Sequence, residues 1–179
     1  MKNFILVLLY RSFAFLPLSL SRACGRGLGW LVLTLELSHV QITRVNLRLC
    51  YPELSADAIE QLCKQHMLHL GQVFLETPRL WDSSAEWLES KILSAEGLGL
   101  LEEALADESG TILVCPHQGN WEVVGPWITQ YTKLTILYDP PKIASLGRWI
   151  KTSRERSGAT LVPASIRGVA ALTKALKRG

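Results

Sequence analysis

From Thr111 to the C-terminus, short apolar runs alternate with helical stretches, and this alternation limits the fold more than any other feature of the chain. Thr111-Ile112-Leu113-Val114-Cys115, residues 133–138 and residues 159–162 are brief and apolar with β-branched members, which is how buried parallel strands read. Residues 121–131, 143–157 and 169–177 carry helical patterns between and after them. Three strand-helix units imply an α/β fold, in which a mostly parallel sheet is joined by right-handed crossovers under a helical layer. The chain ends at Lys177-Arg178-Gly179, basic residues and a glycine that suit a helix C-terminus. A fourth strand is expected next, so the sheet is expected to be incomplete at its C-terminal end.

The upstream half reads as helical. Ser55 is placed to cap a helix whose apolar positions Ile59, Leu62, Cys63, Met67, Leu70, Val73 and Phe74 keep helical spacing, with Pro78 closing it. Residues 42–49 mix polar and apolar positions and lead to Pro52. Shorter helices are predicted over 81–93 and 97–106, the latter ending near Glu108-Ser109-Gly110. His66 and His69 stand at i, i+3 in the long helix. No further ligand lies nearby, so a solvated or internally satisfied pair is the expectation.

At the N-terminus, an apolar run over residues 4–20, broken by Arg11 and Pro17, precedes Arg22 and Arg26, and a second apolar stretch covers residues 28–37. A cleaved signal peptide is disfavoured because Arg22 occupies the expected cleavage site. A buried core helix would need more polar positions for a solvent face. A membrane anchor over residues 1–37, spanning or re-entrant, fits best, with a catalytic domain expected over residues 38–179.

With 179 residues, 48% of them hydrophobic, the chain can build one domain with a core. A net charge of +3 with interspersed acidic residues argues against a nucleic-acid partner. Basic residues crowd after Lys142, which suits an anionic partner such as a phosphate, an acidic carrier protein or a lipid headgroup. Cys24, Cys50, Cys63 and Cys115 have neither zinc-site nor disulfide-framework spacing and read as free buried thiols in a reducing compartment. The active part is therefore expected to face the cytoplasm.

The segment Pro116-His117-Gln118-Gly119-Asn120-Trp121-Glu122 carries the chemistry. A strand would deliver His117 to the sheet's C-terminal edge, where ligands bind in open α/β folds. Gly119 permits a tight turn, and Asn120 can cap a helix starting at Trp121. With the chain reversing at Gly119, His117 and Glu122 can meet, the carboxylate orienting the imidazole and the imidazole acting as a general base. Spacing alone leaves open a plain strand-helix turn with a surface histidine and a dipole-friendly glutamate. Metal-dependent hydrolysis by this pair lacks a third ligand.

The block His117-x-x-x-x-Glu122, with Gly119, Asn120 and Trp121 inside it, resembles the signature of the late acyltransferases of lipid A biosynthesis. Weaker matches follow in order: Asn46-Leu47-Arg48-Leu49-Cys50-Tyr51-Pro52-Glu53, Leu137-Tyr138-Asp139-Pro140-Pro141, Arg154-x-x-x-Gly158, and the helix ending Lys177-Arg178-Gly179. The resemblance implies transfer of a fatty acyl chain from acyl carrier protein to a hydroxyl of a lipid A precursor at the bacterial inner membrane, with no cofactor and no metal. His117 would deprotonate the hydroxyl, Glu122 would orient His117, and amides near Gly119 and Asn120 would stabilise the oxyanion. Arg154 would hold a phosphate or the catalytic carboxylate, with Arg156 a weaker candidate. The family often has arginine where this chain has Asp139, and it continues beyond the Lys-Arg-Gly position. The isolated chain is therefore expected to be poorly active. Another lipid acceptor, or a non-catalytic membrane-associated remnant, are the competing readings.

Overall fold

The computed structural model describes residues 2–106 and 110–178. The chain divides into two compact units, one of residues 8–79 and one of residues 1–7 with 80–179.

Helices dominate the first half: α1 (Lys2–Ser12), a 3-10 turn (Phe13–Phe15), α2 (Leu18–Thr34), α3 (Ser38–Cys50) and α4 (Ala56–Asp82). The mixed segment 42–49 lies inside α3. Ser55 caps α4 as expected, its hydroxyl accepting from the Ala58 amide at 3.2 Å. Val40, Cys63 and Met67 form the core of unit 8–79, flanked by Val32, Leu33 and Leu47. Burial pushes the Cys63 thiol above its ordinary pKa. Cys24, Cys50 and Cys115 are exposed instead of buried, and all four cysteines are unbridged.

Within the same unit, α2 and α4 approach backbone to backbone. A Cβ on Gly25 would strike the Gly71 carbonyl, and one on Gly29 would strike the Met67 carbonyl. The four-residue spacing of Ser21, Gly25 and Gly29 puts three small buried residues on one face of α2, which permits that approach.

Pro78 does not close α4, which continues to Asp82. Proline removes the amide that would bond the Phe74 carbonyl four residues back. The Tyr10 hydroxyl donates to that carbonyl at 2.7 Å, and its ring stacks on Phe74 with centroids 4.6 Å apart. A tertiary donor thus replaces the missing helical one, and the helix passes through.

The spanning form of the expected anchor finds no support. Among the described residues no helix is long and apolar enough to cross a membrane. Pro17 and the 3-10 turn split the apolar run, leaving 11 residues in α1. That is about 16 Å of helix against a hydrocarbon core of about 30 Å. Phe4, Ile5, Leu8, Leu9 and Phe15 are nevertheless exposed.

In the second unit, α5 (Ala85–Glu89) is shorter than the predicted helix 81–93, and α6 (Leu98–Ala106) forms where the helix over 97–106 is expected. The expected end at Glu108-Ser109 lies outside the described residues. A short α7 (Val124–Ile128) follows, and β1 (Thr135–Tyr138), α8 (Ala144–Arg156), β2 (Thr160–Pro163) and α9 (Ile166–Leu176) complete the chain. The strands pair in parallel, Thr135 opposite Thr160 through Tyr138 opposite Pro163, with α8 as the crossover. Helix α9 packs on both strands. Ser165 caps it by accepting from the Gly168 amide at 3.4 Å.

Two of the three predicted strands therefore form. Residues 111–115 run irregularly and unpaired, with Val114 89% exposed. Apolar composition makes a segment suitable for a strand, but the ladder needs a neighbouring backbone in register. Gly110, at φ +78°, turns the chain close to the Leu176 carbonyl, and residues 111–113 line a cavity instead of extending the sheet.

Candidate active site

The turn that carries the candidate residues is local in origin. The Gln118 amide bonds the Pro116 carbonyl at 2.8 Å, and Gly119 takes the left-handed φ of +57° expected of it. Asn120 stands at the N-cap, although its side chain makes no capping hydrogen bond. A 3-10 turn over Trp121–Val123 leads into α7, so the predicted helix 121–131 is shorter and begins more tightly.

Glu122 lies at the centre of the site. Its Oε1 accepts from Arg154 Nη2 at 2.8 Å, and its Oε2 accepts from Trp81 Nε1 at 3.1 Å. Helix α8 supplies Arg154 near its C-terminus, and its guanidinium carbon lies 5.5 Å from the ring centres of both Trp121 and Tyr138. Burial raises the Tyr138 pKa, against the lowering effect of nearby Arg154. The Tyr138 hydroxyl donates to the Gly147 carbonyl at 3.0 Å.

The expected hydrogen bond between His117 and Glu122 is not formed. His117 is exposed and stacks on Trp121, with ring centroids 4.6 Å apart at 26°. A carboxylate this far from water is best satisfied by a full positive charge and a fixed N–H donor, and Arg154 and Trp81 supply both. The sequence reading placed Arg154 on a phosphate or the catalytic carboxylate, and it contacts the carboxylate. Arg156 is exposed and donates to the Trp81 carbonyl.

Trp81 is a residue of the candidate site that sequence reasoning missed. Its separation of 41 residues from Glu122, and its apparent place at the start of a new helix, left no local signal. Trp121, Glu122, Arg154 and Trp81 are among the residues lining a largely apolar cavity of about 730 Å³, together with Leu113, Val124, Ile136 and Leu172. His117 is not among the lining residues. The cavity can hold an aliphatic chain while presenting a carboxylate and a guanidinium at one wall.

A family model described as bacterial lipid A biosynthesis acyltransferase matches residues 1–179. A lipid A biosynthesis acyltransferase of Haemophilus influenzae is 32% identical over 116 residues, 62% of this chain and 35% of the relative. The lipid A biosynthesis palmitoleoyltransferase of Escherichia coli is 29% identical over 143 residues, 77% of this chain and 44% of the relative. A phosphatidylinositol mannoside acyltransferase of Mycobacterium tuberculosis is 36% identical over 70 residues, 38% of this chain and 22% of the relative. The alignments thus span less than half the length of each of these relatives. Because the family model matches residues 1–179, this chain belongs to the bacterial lipid A biosynthesis acyltransferase family.

Proposed function

We propose that this chain is an O-acyltransferase that moves a fatty acyl chain from acyl carrier protein to a hydroxyl of a lipid A-type acceptor. The observation that carries the reading is the Glu122–Arg154 pair in the wall of an apolar cavity, one turn away from an exposed histidine. Family membership supplies the acyl-transfer chemistry, and the cavity offers a place for the chain being moved.

In the proposed reaction, His117 removes the proton of the acceptor hydroxyl as its oxygen attacks the thioester carbonyl. Amides of the Gly119–Asn120 turn stabilise the tetrahedral oxyanion. Collapse breaks the carbon–sulfur bond, and the carrier thiolate leaves with the proton held by His117, giving an ester and a thiol. Glu122 supports the imidazolium once the His117 ring turns from Trp121 towards it. Its oxygens keep spare lone pairs beside the bonds to Arg154 and Trp81. An exposed ring can make this turn without breaking a core contact.

The surroundings suit the proposed partners. Exposed Lys142, Arg148, Lys151, Lys174 and Lys177 suit an acidic carrier protein. The exposed apolar residues of α1 and its following turn, with Arg11 and Arg22 nearby in sequence, suit contact with the cytoplasmic surface of the inner membrane without spanning it. A second reading, transfer to a different glycolipid hydroxyl, is favoured by the similarity to the mycobacterial mannoside enzyme.

The test is a single-turnover assay with excess chain, labelled acyl carrier thioester and a lipid A precursor, the product identified by mass spectrometry. Slow transfer by the wild-type chain, with a further drop of about 100-fold or more in His117→Ala and Glu122→Gln, is expected. Folded variants that transfer at the wild-type rate would refute the catalytic roles. Transfer to a mannoside acceptor alone would select the second reading, and no transfer by the wild type would favour a non-catalytic role.

A further inference from the structure

We propose that Trp81 is a positioning residue for the reaction, one that fixes the Glu122 carboxylate through its indole N–H. The inference rests on the catalytic reading of Glu122 given above. Trp81 occupies the last turn of α4 and is only 7% exposed. A buried indole commonly finds some acceptor for its N–H, usually with packing as the only purpose. Here the acceptor is the second oxygen of the carboxylate that Arg154 already holds, so the two Glu122 oxygens are bound from two different helices.

The indole is itself held in place. The Trp81 carbonyl is one of the last four in α4. It accepts from Ser153 Oγ at 2.7 Å and from the Arg156 guanidinium. The ring meets Trp149 edge to face, centroids 5.0 Å apart, and Trp149 Nε1 donates to Asp82 Oδ1 at 2.7 Å. Ser153 and Arg156 flank Arg154 on α8. The same helix therefore sets both donors on Glu122, one directly and the other by tying down the Trp81 backbone. With one oxygen on Arg154 and the other on Trp81, the carboxylate plane cannot rotate. Without the indole N–H, Glu122 can turn both oxygens onto the Arg154 fork and no longer face the His117 ring when it turns inward.

The experiment uses the full chain as wild type, Trp81→Phe, Ser153→Ala and Glu122→Gln. Trp81→Phe keeps an aromatic ring against Trp149 but removes the donor, and kcat is expected to fall about tenfold with acceptor KM unchanged. Ser153→Ala, the milder variant should Trp81→Phe fail to fold, loosens only the backbone tie, and a kcat about threefold lower at unchanged KM is expected. In proton–nitrogen spectra the Trp81 indole resonance is expected to shift in Glu122→Gln, because its charged acceptor becomes neutral. An indole resonance indifferent to Glu122→Gln overturns the proposal, as does wild-type kcat in both Trp81→Phe and Ser153→Ala while Glu122→Gln is inactive. Wild-type turnover in Glu122→Gln would instead remove the catalytic reading itself, and this inference with it.

Discussion

Arg154 donates to Glu122 across 2.8 Å, and the two side chains keep only 15% and 11% of their surfaces in water. Such a pair stabilises more than a surface ion pair and less than a fully buried one. Arg154→Ala leaves a mostly buried carboxylate held by the Trp81 indole alone of its two donors. We expect a loss of about 2 kcal/mol in urea unfolding. Arg154→Lys keeps the charge but not the flat guanidinium near Trp121 and Tyr138, so a smaller loss of about 1 kcal/mol is expected. Unchanged unfolding midpoints in both would show that the pair contributes nothing to stability.

Gly27 and Gly29 sit two residues apart in α2 and should respond oppositely to alanine. A Cβ at Gly29 meets the Met67 backbone, whereas one at Gly27 meets open space. Gly29→Ala is expected to destabilise unit 8–79 by about 1–3 kcal/mol or more, because backbone cannot move aside as a side chain can. Gly27→Ala is expected to stabilise by roughly 0.5–1 kcal/mol through helix propensity. Thermal unfolding of the two variants side by side checks the prediction, and equal effects would refute the close approach of α2 and α4.

Tyr10 and Pro78 should be energetically coupled although they do not bond each other. Tyr10→Phe strands the Phe74 carbonyl and is expected to cost roughly 0.5–1 kcal/mol at this partly exposed position. Pro78→Ala restores the helical amide, and in that background Tyr10→Phe is expected to be nearly neutral. A double-mutant cycle measures the coupling, and additivity would show that the tyrosine does not replace the missing donor.

Acid should weaken unit 8–79 through Glu36. Hydrogen bonds from Arg44 hold its carboxyl below the ordinary value of 4.5, partly offset by desolvation. A carboxyl whose pKa is lower folded than unfolded contributes stability in full above the unfolded value and loses it as pH falls through the folded one. The wild type is therefore expected to lose stability in that acid window. Glu36→Gln, weaker at neutral pH, should converge with it there. Parallel stability curves would show the Arg44 contact to be without consequence.

Several elements could be read from the chain because their causes are local. The β-branched runs at β1 and β2, the helical period of α8, the Ser55 cap and the left-handed Gly119 each depend on residues a few positions apart. The His117–Glu122 block and the motifs around it likewise sufficed to indicate the family. The course of α4 through Pro78 was not legible, since its replacement donor, Tyr10, lies 64 residues from Phe74. Neither was the failure of residues 111–115 to join the sheet, because composition marks a segment as able to pair and supplies no partner.

The sequence by itself determined the parallel strand pair, the glycine reversal and which residues could do acid–base chemistry, since backbone preference and side-chain type are properties of short stretches. Only the tertiary structure decided which donors Glu122 would meet. Arg154 and Trp81 reach it from 32 and 41 residues away, while His117, five positions earlier, stacks on Trp121. A carboxylate removed from water takes the strongest donors that packing brings within reach, and packing is settled by the whole chain.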